Sequence, residues 1–217
     1  MPHALPRPLR AVLLDIDGTI LDTREFIFAA FEHAFLHHRL PPPPREELSR
    51  HVGQRELHHI YSGFAEEFAA AMTELHRDFQ AANLELAVPY PGAEGVLSRL
   101  TRAGLRLAAV TSRSVRTSAR TLELNGLAGY FATVVSAEDV QRLKPHPEPL
   151  LAALERMGHP PEAAVMVGDT AADMEAGRAA GLFTVAATYG FQGPGVLDSA
   201  PDAAIGAIGE LPRLLGL

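Results

Sequence analysis

Ala11-Val12-Leu13-Leu14-Asp15-Ile16-Asp17-Gly18-Thr19-Ile20-Leu21-Asp22 is the stretch on which the fold turns. Four apolar residues in a row, followed by Asp-Gly turn chemistry, read as a short, fully buried strand. Outward from it, similar apolar runs recur at residues 105–110, 133–135, 163–167 and 183–186. Helical stretches fall between them at 93–103, 115–125, 147–157 and 171–180, and Gly104, Gly126, Gly158 and Gly181 follow these. A helix C-terminus favours a residue tolerant of positive φ at that place. Strands alternating with glycine-capped helices predict an α/β fold, a Rossmann-like parallel sheet flanked by helices on both faces.

Residues 22 to about 87 break the alternation and contain no convincing strand. Ile27, Ala30, Phe31, Ala34 and Phe35 recur at helical spacing, as do Phe64, Phe68, Met72, Leu75 and Phe79. The Pro41–Pro44 run cannot lie inside a helix, so it separates two helices. The expectation is a small all-helical insert directly after the first strand, with Val88-Pro89-Tyr90-Pro91-Gly92 as its return linker. The division is then a core of residues 1–21 and 87–217 and an insert of residues 22–86. A length of 217 residues, above the roughly 100–200 of one domain, agrees with one domain plus an insertion.

Composition narrows the classes. Hydrophobic residues make up 47% and charged residues 21%, an ordinary globular balance. No apolar run approaches the ~18–20 residues needed to cross a bilayer. Residues 1–10, with three prolines and no apolar block, do not read as a signal peptide. A net charge of −7 without a basic block speaks against a nucleic-acid partner. The absence of cysteine excludes disulfides, thiolate catalysis and Cys-ligated zinc, and fits a cytoplasmic location. Of 19 Lys and Arg residues only Lys144 is a lysine, which marks it for a chemical reason.

Ligands of open α/β sheets bind outside the carboxyl ends of the strands. Asp15 and Asp17 follow the first run, Thr111 and Ser112 the second, Lys144 lies in the loop after the third, and Asp169 follows the fourth. Crowded carboxylates favour protonation unless a cation compensates, and an oxygen-only ligand set suits Mg²⁺. Hydroxyls and an ammonium group beside such an ion describe a phosphoryl-transfer site. Structural roles compete at each position. Asp15 and Asp17 also suit a turn, Asp169 suits an N-cap, and Asp173 suits the first turn of a helix.

Four segments carry a resemblance to a family. Asp15-Ile16-Asp17-Gly18-Thr19 resembles motif I of the haloacid dehalogenase-like superfamily. Thr111-Ser112-Arg113 resembles motif II, Lys144-Pro145-His146-Pro147 motif III, and Gly168-Asp169-Thr170-Ala171-Ala172-Asp173 motif IV. Order and spacing agree over nearly the whole chain after Arg10, and the helical insert sits where the family's small C1 cap sits. The phosphoglycolate phosphatase-like branch, which includes pyrophosphatases and sugar-phosphate phosphatases, is the most similar.

The resemblance implies an Mg²⁺-dependent phosphatase of a small phosphorylated metabolite. Asp15 would be the nucleophile forming an aspartyl phosphate, and Asp17 the general acid and base. Mg²⁺ would be held by the Asp15 carboxylate, the Asp17 backbone carbonyl and Asp169, with Asp173 in support. Thr111 and Lys144 would bind the phosphoryl group. Gly18, Ser112 and Arg113 are further substrate-side candidates, as are Gln54 and Arg55 in a polar loop of the insert. Carbon–halogen hydrolases of the superfamily lack the second motif I aspartate, so Asp17 favours phosphate chemistry. Phosphonoacetaldehyde hydrolases need a cap lysine, and residues 22–87 contain none. The alternative is a phosphoryl-accepting signalling module, or an inactive binding module, on the same kind of fold. A receiver, however, places its phosphoacceptor after a middle strand and has no such insert. His33 and His37, four apart, are metal-compatible in spacing but lack a third partner. A monomer or a homodimer is equally compatible with the sequence.

Overall fold

The structure is a computed structural model that describes residues 5–52 and 56–217. Its strands are β1 (Ala11–Leu14), β2 (Leu21–Asp22), β3 (Val88–Pro89), β4 (Arg106–Val110), β5 (Thr133–Val135), β6 (Ala164–Gly168), β7 (Phe183–Ala187) and β8 (Ala203–Ile205). Its α-helices are α1 (Arg24–His37), α2 (Arg45–Ser49), α3 (Leu57–Ala65), α4 (Ala69–Ala82), α5 (Ala93–Arg102), α6 (Val115–Leu124), α7 (Glu148–Met157), α8 (Ala171–Ala179) and α9 (Leu211–Leu214). Six strands form one parallel sheet in the order β5-β4-β1-β6-β7-β8. Central β1 pairs Leu14 with Ala109 on one side and with Val167 on the other. The chain leaves β1 towards β4 and β5, then returns to build β6, β7 and β8 on the opposite side. The crevice between β1 and β6 is therefore the switch point where ligands of such sheets lie.

Successive strand residues point to opposite faces, and both faces are covered. Val12 and Leu14 pack with Val96, Leu97, Leu100 and Leu122 of α5 and α6. Ala11 and Leu13 pack with Leu150, Ala153, Leu154 and Ala176 of α7 and α8. That double cover is why β1 reads as an unbroken apolar run. The expected strands and helices of the core are present within a residue or two, and the four capping glycines take φ between 69° and 82°. Beyond residue 187 the structure adds β8 and α9, which sequence periodicity did not indicate. Ala203–Ile205 is too short and too plain to announce itself; its pairing with β7 makes it a strand.

The insert is helical, as expected, but has more pieces than two. After Pro41–Pro44 the chain forms α2, α3, a 3₁₀ turn at Glu66–Phe68, and α4. The Phe64–Phe79 stripe is thus not one helix: Ala65 leaves the helical region at φ −155°. The break brings Tyr61 of α3 and His76 of α4 together over Phe31 of α1, with ring centroids 5.2 and 4.7 Å from Phe31. Val88–Pro89, expected to be linker only, also pairs antiparallel with Leu21–Asp22, so the two connections to the insert are stitched together.

Candidate active site

Asp15 leaves β1 with its amide still bonded to the Val167 carbonyl of β6 (2.9 Å). The chain then folds back at once: the amides of Ile20 and Leu21 donate to the Ile16 carbonyl, and that of Gly18 donates to the Leu21 carbonyl. Gly18 adopts φ 77°, and a Cβ there would fall 2.2 Å from Oδ2 of Asp169. Both backbone conformation and room require glycine at this corner.

Two neighbouring strand ends, those of β1 and β6, bring the acids together. Asp15, Asp169 and Asp173 are buried, and each offers a carboxylate oxygen within 4.8 Å of the others'. Lys144, 6% exposed at its side chain, donates to Oδ1 of Asp15 (2.8 Å), Oδ1 of Asp173 (2.6 Å) and the Val110 carbonyl (3.1 Å). The second oxygen of Asp173 accepts from the amide and hydroxyl of Thr170, while the Thr170 hydroxyl caps α8 at the Asp173 amide. This is a capping box at the helix start. Asp173 therefore fills its expected helical role and braces Lys144 at the same time. Asp169 accepts from the Thr19 hydroxyl at Oδ1 (3.2 Å) and from the Phe191 amide at Oδ2 (2.6 Å).

Charge is unbalanced in this crevice. Burial pushes the Asp15 carboxyl up to about 7, with Asp173 and Asp17 adding to the rise and Lys144 opposing it. Burial likewise holds Asp169 well above the usual carboxylate range, reinforced by Asp15 and Asp173. Burial disfavours the Lys144 ammonium, but the two carboxylates beside it outweigh that effect and raise its pKa. Three buried carboxylates against one ammonium leave a deficit of positive charge that a cation would relieve. An all-oxygen donor set of this kind fits a hard divalent ion, so the cluster is able to hold a metal.

The remaining candidates surround this centre. Asp17 is partly exposed and meets Nη1 of Arg113 at 3.4 Å. Arg113 is not a solvated loop residue. Its guanidinium donates to the Thr121 hydroxyl (2.9 Å) and the Thr117 carbonyl, and lies 4.5 Å over the Phe26 ring. Its amide donates to the hydroxyl of Thr111 (3.2 Å), which is buried at the end of β4. Ser112 is exposed. Gln54 and Arg55 lie outside the described residues. Among the described residues the three aspartates form a metal-compatible group, and no histidines do.

Sequence reasoning missed several contributors. Thr170 was detectable, because Thr170-Ala171-Ala172-Asp173 is a capping-box pattern. Thr19 and Gly168 lie within the quoted motifs but received no role there, and Gly190 and Phe191 carry no local signal. A Cβ on Gly168 would fall 2.3 Å from Cβ of Asp173, and one on Gly190 would fall 2.2 Å from Cβ of Asp169.

A six-stranded parallel sheet with a helical insert after its first strand and an acid cluster at its switch point defines a hydrolase class. Residues 12–187 match the model of the haloacid dehalogenase-like hydrolase family, and the chain belongs to that family. It is 34% identical to the pyrophosphatase PpaX of Bacillus velezensis over 209 residues, covering 95% of this chain and 96% of that one. Among solved structures, a haloacid dehalogenase-like family hydrolase from Streptococcus pneumoniae superposes with a TM-score of 0.87 at 22% identity, covering 96% of this chain and 99% of the other. A predicted phosphoglycolate phosphatase from Haemophilus somnus gives 0.86 at 20%, covering 95% and 97%. At those identities the structural likeness concerns the fold. No helix among the described residues is long and apolar enough to cross a membrane.

Proposed function

We propose that this hydrolase is an Mg²⁺-dependent phosphatase that acts on a small phosphorylated compound through a phosphorylated Asp15. Inorganic pyrophosphate, phosphoglycolate and sugar phosphates are the candidate substrates, and the whole-length relative named a pyrophosphatase puts pyrophosphate first. The observation that carries the reading is Lys144 bridging Asp15 and Asp173 beside the buried Asp169. One carboxylate is thereby oriented and partly neutralised at the mouth of the crevice, while the cluster still lacks positive charge.

Lys144 holds Oδ1 of Asp15, which leaves Oδ2 as the attacking oxygen. In the first half-reaction the Oδ2–phosphorus bond forms as the bond from phosphorus to the leaving oxygen breaks, and Asp17 gives that oxygen a proton. In the second, Asp17 takes a proton from water as the water oxygen bonds to phosphorus. The Asp15–phosphorus bond breaks, phosphate departs and the carboxylate is restored. Arg113 holds Asp17 in place from the side. Thr111, Ser112 and Lys144 meet the phosphoryl oxygens. Asp15, Asp169 and the Asp17 carbonyl would hold Mg²⁺, which would supply positive charge to the transferring group. Residues 22–86, as a cap on a core of 1–21 and 87–217, would exclude water while the nucleophile attacks. The same reading gives a cytoplasmic enzyme without a nucleic-acid partner.

The test is phosphate release from pyrophosphate, phosphoglycolate, hexose phosphates and nucleotides, with Mg²⁺ and with EDTA. We expect many turnovers on at least one compound, no turnover in EDTA, and a loss of roughly 1,000-fold or more in kcat for Asp15→Asn. Stoichiometric phosphorylation without turnover, or unchanged activity of Asp15→Asn, would overturn the reading.

A further inference from the structure

The loop after β7 touches both halves of the molecule. Gly190 lies against Asp169 so closely that no side chain fits between them. The next residue donates its amide to Oδ2 of Asp169 at 2.6 Å, the shortest hydrogen bond that carboxylate makes. Oε1 of Gln192 then accepts the Ala171 amide at the start of α8 (2.7 Å). Three consecutive residues thus brace the acid at the end of β6 and the helix that follows it.

The side chain of Phe191 points the other way. The residue is 7% exposed, and its ring belongs to the insert's apolar cluster, with Phe28, Phe31, Phe35, Tyr61 and Met72. It meets Phe28 edge-on at 6.1 Å between centroids. Arg24, the first residue of α1, closes the junction: its guanidinium stacks 5.4 Å over the Phe191 ring and donates to the Gly190 carbonyl. A single core residue therefore has its backbone on the proposed metal site and its ring in the core of the insert. The ring's packing in the insert and the amide's bond to Asp169 are anchored through one Cα, so the ring helps fix where that Cα and its amide sit.

We propose that Phe191 is a positioning residue through which the packing of the helical insert sets the orientation of Asp169, and with it the affinity for the divalent cation. The proposal rests on the metal reading above. Groups behind a metal ligand, when removed, commonly change metal affinity by 10–100-fold. Here the contact that matters is a backbone amide, so its control passes to the side chain that anchors it.

Mg²⁺ is titrated into the full chain without substrate, and binding is followed by calorimetry and by the rise in melting temperature. Phe191→Ala should weaken Mg²⁺ binding about tenfold or more, whereas Phe191→Leu, which refills the pocket, should restore most of it. Arg24→Met should shift affinity in the same direction by a smaller factor. Phe35→Ala, the same truncation in the same apolar cluster away from the loop, should lower the melting temperature but keep the wild-type affinity. If Phe191→Ala lowers the melting temperature equally with and without Mg²⁺ and binds within twofold of wild type, the coupling is refuted. The same holds if Phe35→Ala loses as much affinity as Phe191→Ala. Should Phe191→Ala not fold, Arg24→Met and Phe191→Leu carry the comparison alone, and wild-type affinity in Arg24→Met refutes the proposal. A wild-type chain that binds no Mg²⁺ overturns the metal reading itself, a different result from wild-type binding that Phe191 does not influence.

Discussion

At Gly190 an added methyl group would meet Cβ of Asp169 at 2.2 Å, a distance that no rotamer change relieves because both atoms are fixed to backbone. At Gly95, exposed in α5, an added methyl group meets nothing within 4 Å. The two alanine substitutions should move in opposite directions. Gly95→Ala should raise unfolding stability in urea by about 0.5–1 kcal/mol, the usual gain at an exposed helical position. Gly190→Ala should lower stability by ~1–3 kcal/mol through overpacking and weaken Mg²⁺ binding as Asp169 shifts. A Gly190→Ala chain of wild-type stability and metal affinity would show that the loop yields more easily than its contacts suggest. Much of the residue scale is readable from the chain alone. Asp15, Lys144 and Asp169 follow strands or sit in the loops between them, Asp173 lies in the first turn of α8, and these four side chains come together. Arg113 is different, since the motif puts it near phosphate whereas Asp17, Thr121 and the Phe26 ring hold its guanidinium.

Among the elements, the insert shows what periodicity can and cannot tell. Apolar spacing finds its helices, but a break such as that at Ala65 leaves the spacing almost intact. The break buries His76, which shares a hydrogen bond of 3.0 Å between Nδ1 and the Tyr61 hydroxyl. Burial, with a smaller contribution from Arg77, depresses the His76 pKa from 6.5 to about 3. Its unfolded form charges below pH 6.5 while the folded form stays neutral, so its contribution to stability is full above 6.5 and is lost as pH falls towards 3. Between pH 7.5 and 5 the loss from this one group amounts to about 2 kcal/mol. Denaturant unfolding of wild type against His76→Gln over that range should show the difference, the variant having the shallower dependence. Parallel slopes would mean that another group governs the acid response of the insert.

For the whole molecule, the sheet order places the ends of β1 and β6 side by side, which no local pattern prescribes. Asp15 and Asp169 meet there at the expense of mutual repulsion. With its pKa raised to about 7, Asp15 draws the metal-free chain towards protonation, and stability should fall as pH rises from the unfolded value of 3.8 through 7. A cation bound there would offset that penalty. The rise in melting temperature on adding Mg²⁺ should therefore be larger at pH 8 than at pH 5.5, and replacing Asp169 by Asn should shrink it at both. An Mg²⁺ effect independent of pH would place the ion away from Asp15.

The linear order of residues determined the strands, the helices flanking them and the acids at strand ends, because those follow from local periods of burial and from turn chemistry. Tertiary structure alone decided that Arg113 faces Asp17, that residues 203–205 extend the sheet, and that Phe191 joins the insert to Asp169. Each of these contacts bridges chain segments that are distant in sequence. Which groups then meet depends on the crossing order of the sheet and on close packing across it, and neither leaves a periodic trace in the chain.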